Sequence, residues 1–205
     1  MSLPDFGGRE PSVEELRAEA ERLRRQGQKL LDKMGLLATF EKYGQVPGIG
    51  GSFRYNLMVY PDLDTGIVAD HVDRTVVGNL LNDLMTIPVL RRVSMSDNVV
   101  FISPTNPHAK PKGYWIGLEA PFEGERWGID CWFQERSWLR PEDSHDNYAE
   151  KLEALDQAGR DAILLLKYQL IQRGEYGGKY TSGDVYDAVL NGARSLAEFE
   201  RHKEE

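Results

Sequence analysis

The sequence predicts an α+β protein, and three observations carry that expectation. Apolar residues recur at helical spacing near both ends of the chain. Strand-like alternation fills the middle, notably Val99-Val100-Phe101-Ile102 and Trp127-Gly128-Ile129-Asp130-Cys131-Trp132-Phe133. Between them lies Gly50-Gly51-Ser52, then nine residues, then Asp62-Leu63-Asp64. On a strand, residues i and i+2 point the same way, so Asp62 and Asp64 project together while Leu63 faces the core.

The elements follow in order. Ser12 and Glu15 form a capping-box pattern that opens a helix to about Met34, with Leu16, Ala20, Leu23, Leu30 and Leu31 on one face. Gly35 breaks it, and a short helix from Leu36 to Lys42 follows. Val46 to Gly50 reads as a strand entering the glycine turn, with a helical turn from Phe53 to Met58. Leu63 to Asp70 reads as the next strand. Asp73 caps a helix to about Ile87 with Val76, Val77, Leu80, Leu81 and Leu84 as its stripe; Pro88 ends it. Val89 to Pro104 alternates like a strand, and residues 106–113 are a loop by composition. Tyr114 to Ala120 and Arg126 to Phe133 read as a hairpin joined by residues 121–125. A long helix is expected from Ser144 to Arg173, then two shorter ones capped by Thr181 with Asp184 and by Ser195 with Glu198. The segments are thus 1–44 helical, 45–138 mixed and 139–205 helical.

Composition narrows the function. The 205 residues suffice for a real core. Residues 1–11 carry no apolar signal-peptide stretch, and no run approaches a membrane span. The single cysteine, Cys131, excludes an internal disulfide and fits a reducing cytosol, so a cytoplasmic location is expected. The formal charge of −8 argues against a general nucleic-acid binder, which needs a basic face. It leaves room for a nucleotide held through metal and for a cationic acceptor such as an aminated sugar.

Two neighbouring carboxylates repel unless a cation neutralises them. Oxygen ligands on a strand suit Mg²⁺, which takes one or two carboxylates plus substrate phosphates. The Gly-Gly-Ser turn offers backbone N–H groups and close approach to a phosphate. Each half also has an ordinary reading, as a common turn and as acids at a solvated strand end. A two-metal phosphoryl-transfer site needs a third acid from a neighbouring strand. Asp130, a charge amid apolar strand residues, supplies one, unless it sits at a solvated edge or pairs with a cation.

Gly51-Ser52, the nine-residue gap, Asp62-Leu63-Asp64 and the later Asp130 together resemble the nucleotidyltransferase superfamily of the DNA polymerase β type, nearest to small bacterial antibiotic-type members. The resemblance covers about residues 45–135. It implies a mixed β-sheet flanked by helices, with a helical C-terminal region, Mg²⁺ as cofactor, and a nucleoside triphosphate such as ATP as donor. It implies that Gly50, Gly51 and Ser52 hold the triphosphate, that Asp62 and Asp64 bind metal, and that Asp130 completes the metal site or acts as base. Many members carry Arg-Gly after the serine. Here Arg54 stands in Phe53-Arg54-Tyr55, either touching phosphate or lying on the surface.

Other candidates are Glu119 as general base from the hairpin, and Lys110 and Lys112 reaching phosphates from their loop. Tyr114, Trp115, Trp127 and Trp132 are core residues or stacking surfaces. The sequence therefore points to transfer of a nucleoside monophosphate to a hydroxyl of a small molecule, with no membrane partner and a nucleic-acid partner disfavoured. The alternatives are a toxin-like transferase acting on RNA or protein, and an inactive nucleotide-binding relative.

Overall fold

The structure is a computed structural model that describes residues 6, 9–99, 111–139 and 148–204. Its elements run α1 (Val13–Met34), α2 (Leu36–Glu41), α3 (Gly51–Arg54), β1 (Asp62–Ala69), α4 (Arg74–Met85), β2 (Arg92–Asp97), β3 (Tyr114–Phe122), β4 (Glu125–Glu135), α5 (Ala149–Glu153), α6 (Gln157–Gln172), α7 (Ser182–Leu190) and α8 (Leu196–Glu204). A 3₁₀ turn, Arg136–Trp138, follows β4. The strand expected from Val89 to Pro104 is realised as β2; residues 100–110, which include Lys110 and most of the 106–113 loop, and Ser144 lie outside the described residues.

The chain divides into two compact units that do not follow the linear segments 1–44, 45–138 and 139–205. One comprises Met1–Arg25, Gly51–Tyr60 and His145–Glu205; the other comprises Gln26–Gly50 and Pro61–Ser144.

The second unit holds a mixed sheet in the order β1-β4-β3-β2. β1 runs parallel to β4, whereas β4 with β3 and β3 with β2 are antiparallel. One face is apolar: Leu63, Ile67, Ile116, Leu118, Trp127, Ile129, Cys131 and Phe133 are all buried. Leu36, Phe40, Val77, Leu80 and Leu84 of α2 and α4 are buried in the same unit, with α2 packed on α4 and α4 on β2. Asp73 caps α4 by accepting from Val76 N at 2.8 Å, as the sequence indicates.

The hairpin turn is tighter than expected. Only Glu123 and Gly124 separate β3 from β4, and both have positive φ (46° and 86°). That is the backbone a two-residue turn needs to match the strand twist, so pairing extends to Phe122 opposite Glu125. The expected strand Val46–Gly50 is reduced to two bridges, Gln45 with Val68 and Ile49 with Thr65. Pro47 has no N–H to give, and Gly48 turns the backbone at φ 104°, which interrupts a ladder between them.

The first unit is helical. Leu16 and Ala20 of α1 share a core with Ile163, Leu166 and Leu170 of α6, Val185 and Val189 of α7 and Phe199 of α8. The helix expected from Ser144 to Arg173 is two helices. Asp156 caps α6 by accepting from Gly159 N at 2.8 Å, so a new helix starts where the periodicity reads as continuous. Gly159 fits because Leu155 folds over it; a Cβ there would lie 2.6 Å from Leu155 Cδ1.

Candidate active site

β1 begins at Asp62, and burial alternates along it: Asp62 half-buried, Leu63 buried, Asp64 half-buried. Leu63 and Ile67 fix this register, because a slip of one residue would turn them outward. β4 shows the same alternation, with Ile129 and Cys131 buried on either side of half-buried Asp130. Asp64 is the Cα partner of Asp130, and Asp62 that of Gly128. Partners in adjacent strands share a face, so Asp62, Asp64 and Asp130 stand together on the side opposite the apolar core.

Gly128 keeps room for the first acid: a Cβ there would meet Asp62 Oδ1 at 3.0 Å. Gly50 N donates to the Asp64 carbonyl at 2.8 Å, and Thr65 Oγ1 donates to the Gly48 carbonyl at 2.9 Å. The peptide leading into the Gly-Gly-Ser turn is therefore pinned to the strand that bears the acid pair.

Glu119 belongs to the same face, as the Cα partner of Gly128 on β3. Arg126 grips its carboxylate, with Nε at 3.1 Å, and Arg92 Nη1 lies 3.3 Å away. The hydrogen bond from Arg126 is the main reason its carboxyl is held below the usual carboxylate range. A carboxylate so stabilised is a poor proton acceptor, which weakens the expectation of Glu119 as general base.

Gly51, Ser52 and Arg54 belong to the other unit. Gly51 has φ 57°, a conformation glycine adopts without strain, and it opens the four-residue α3. The helical turn expected over Phe53 to Met58 thus begins two residues earlier and ends at Arg54. Arg54 pairs with Glu153 at 3.5 Å.

Sequence reasoning missed one residue here. Lys167 of α6 is fully buried, and its Nζ donates to Ser52 Oγ at 2.7 Å, the Tyr186 hydroxyl at 2.9 Å and the Leu57 carbonyl at 3.2 Å. Its ammonium also lies 4.6 Å from the Tyr186 ring centroid. The only sequence signal was a lysine closing the apolar run Ala162 to Leu166, which reads as an interruption.

Cys131 faces the core, and burial, aided by the Asp130 charge, pushes its thiol far up, so it is inert as a nucleophile. Among the described residues no group of three or more His, Cys, Asp or Glu side chains forms a set that could by itself hold a metal ion. The donor chemistry on this face nevertheless fits Mg²⁺, which completes its octahedron with water and substrate phosphates rather than an all-protein cage. Asp62, Asp64 and Asp130 are the residues that would hold it.

No protein-family model matches the sequence, and no curated protein matches it. Among solved structures, the chain superposes on a cytoplasmic RNA terminal U-transferase with a TM-score of 0.52 and 12% sequence identity, over 86% of this chain. It spans about half, 51%, of that longer chain. Helices flanking a four-stranded mixed sheet, matched to that neighbour, give this chain the nucleotidyltransferase fold.

Proposed function

We propose that the protein is a metal-dependent nucleotidyltransferase that moves a nucleoside monophosphate from a nucleoside triphosphate to an acceptor hydroxyl, releasing pyrophosphate. The observation that carries this reading is the register that sets Asp64 beside Asp130, with Asp62 two residues along on the same face. When bound to these carboxylates, Mg²⁺ neutralises phosphate charge and favours in-line displacement.

The chain's own residues do the rest. The Gly50-Gly51-Ser52 turn offers N–H groups and the Ser52 hydroxyl to the phosphates. Lys167 donates to Ser52 Oγ, and the Tyr186 hydroxyl lies 3.3 Å from the same oxygen, so the serine side chain is held in place. The acceptor oxygen bonds to the α-phosphorus as the bond to the β-bridging oxygen breaks. Asp130 completes the metal site or takes the acceptor proton, and Glu119 is held by its two arginines.

The acidic balance of the chain favours a small-molecule acceptor. An RNA acceptor is the second reading. It is favoured by half-buried Trp115 and Trp132 on the carboxylate face and by the RNA terminal U-transferase named for the structural neighbour.

The test is release of pyrophosphate from each nucleoside triphosphate with Mg²⁺ and pools of oligoribonucleotides or aminated sugars. Asp62→Asn and Asp64→Asn should each abolish release. They should also abolish the thermal shift given by Mg²⁺ with a non-hydrolysable triphosphate, because a ligand stabilises only the state that binds it. Their ligand-free melting temperatures should stay near the parent's. Melting far below the parent would make the acids structural, and normal folding with full nucleotide binding but no release from any pool would leave an inactive relative.

A further inference from the structure

Four aromatic residues of the hairpin divide between the two sheet faces. Tyr114 and Trp127 are buried on the core side, whereas Trp115 and Trp132 are half-buried on the carboxylate side and are Cα partners of one another. Trp115 lies along its own strand: a Cβ at Gly117 would come within 2.5 Å of its Cη2 and 2.7 Å of its Cζ2. Gly117 is in turn the Cα partner of Asp130. The six-membered ring of the indole therefore lies over the residue beside Asp130, and the missing side chain at 117 is what lets it lie there. Ser94 Oγ, which donates to the Gly117 carbonyl at 3.0 Å, closes the far side of the same row.

We infer that Trp115 is the platform on which the acceptor stacks a nucleobase, so that the acceptor hydroxyl belongs to a nucleoside, free or at the end of an RNA strand. This rests on the reading of Asp62, Asp64 and Asp130 as the transfer site. An indole face beside a carboxylate row suits a planar group that carries its hydroxyl one sugar away. An aminated sugar offers a C–H face but no π-system to stack. With a chain charge of −8, affinity for such an acceptor comes from stacking rather than from neutralised phosphates. Arg92 and Arg126, gathered at Glu119 on the same face, are cations available to a phosphate leading away from the stacked base.

The experiment measures binding without turnover. A short 5′-fluorescein-labelled single-stranded oligoribonucleotide is titrated by anisotropy, and a nucleoside 5′-monophosphate competes against it; the two arms separate a strand end from a free nucleoside. Trp115→Ala should weaken binding of whichever probe the parent takes by about 5- to 150-fold, the range of one base–aromatic stack. Trp115→Phe, which keeps a π-face, should recover most of that loss. Gly117→Ala, which lifts the indole off the strand without removing it, should reproduce the alanine phenotype. In all three the thermal shift with non-hydrolysable triphosphate and Mg²⁺ should match the parent's, and in turnover the acceptor KM should follow the loss of probe binding with kcat held. Unchanged probe binding by Trp115→Ala overturns the inference, as does a parent that binds triphosphate but neither probe. Trp115-dependent probe binding in a protein that takes no triphosphate would sustain the platform and overturn the transfer reading instead.

Discussion

Glu119 and Asp130 stand on adjacent strands of one face. Glu119 lies between Arg92 and Arg126, which keep it ionised well into acid. Asp130 is in line with Asp64. If proton removal from the acceptor is the task, Glu119→Gln should leave kcat within about threefold of the parent, whereas Asp130→Asn should lower it by at least about 100-fold, the scale of general-base catalysis. Equal losses, in a steady-state assay, would return Glu119 to the reaction. At this scale Asp62 and Asp64 were legible as a pair because i, i+2 spacing on a strand alone determines that they share a face. The arginines around Glu119 were not, because Arg92 reaches it only through the β2–β3 register, which no local pattern specifies. Lys167 escaped for the same reason, since its partners Ser52 and Tyr186 lie far along the chain.

Among the elements, the start of α1 couples structure to pH. Glu15 N donates to Ser12 Oγ at 3.3 Å and Ser12 N donates to the Glu15 carboxylate at 2.9 Å, while Arg9 holds the same carboxylate. Arg9 first, and the Ser12 N–H next, draw the Glu15 carboxyl from 4.5 to about 2. The folded state thus binds this proton more weakly than the unfolded chain. The cap's contribution is complete above about pH 4.5 and fades as pH falls toward about 2. Ser12→Ala should cost about 1 kcal/mol in urea unfolding near neutral pH. Glu15→Gln should flatten that part of the acid limb, so parent and variant converge at the acid end. A gap that persists to the lowest pH would show that the carboxylate does not act through its charge. This cap was readable because all its parts lie within six residues. The break before α6 was not, since Asp156 and Gly159 sit inside an otherwise helical pattern. The turn at Glu123-Gly124 was missed because a glutamate with positive φ is uncommon and sends no signal.

For the whole molecule, the sequence conveyed the α+β class and the order of its parts but not their grouping. Segments adjacent in sequence are divided between units, so α1 itself contributes Leu16 and Ala20 to one unit and its residues from Gln26 onward to the other. Among the described residues no helix is long and apolar enough to cross a membrane. The grouping predicts that the linear boundary after residue 138 is not a place to cut. A chain ending there loses α6, α7 and α8, the partners of Leu16 and Ala20 in their core. Exposing the leucine alone costs about 2 kcal/mol. The shortened chain should bind a hydrophobic dye and be clipped by protease within residues 13–25, while the full chain resists both. Clean resistance in the short form would mean that the sheet unit carries α1 unaided.

The same interleaving orders events during synthesis. Every residue of the sheet unit has been made once residue 144 is joined, whereas residues 1–25, made before it, belong with residues 145–205, made after it. The sheet can close while its neighbour is still half written. Leu16 and Ala20 of α1 then wait for their core partners until α6, α7 and α8 are made, and a chaperone or a pause in elongation would act on that stretch.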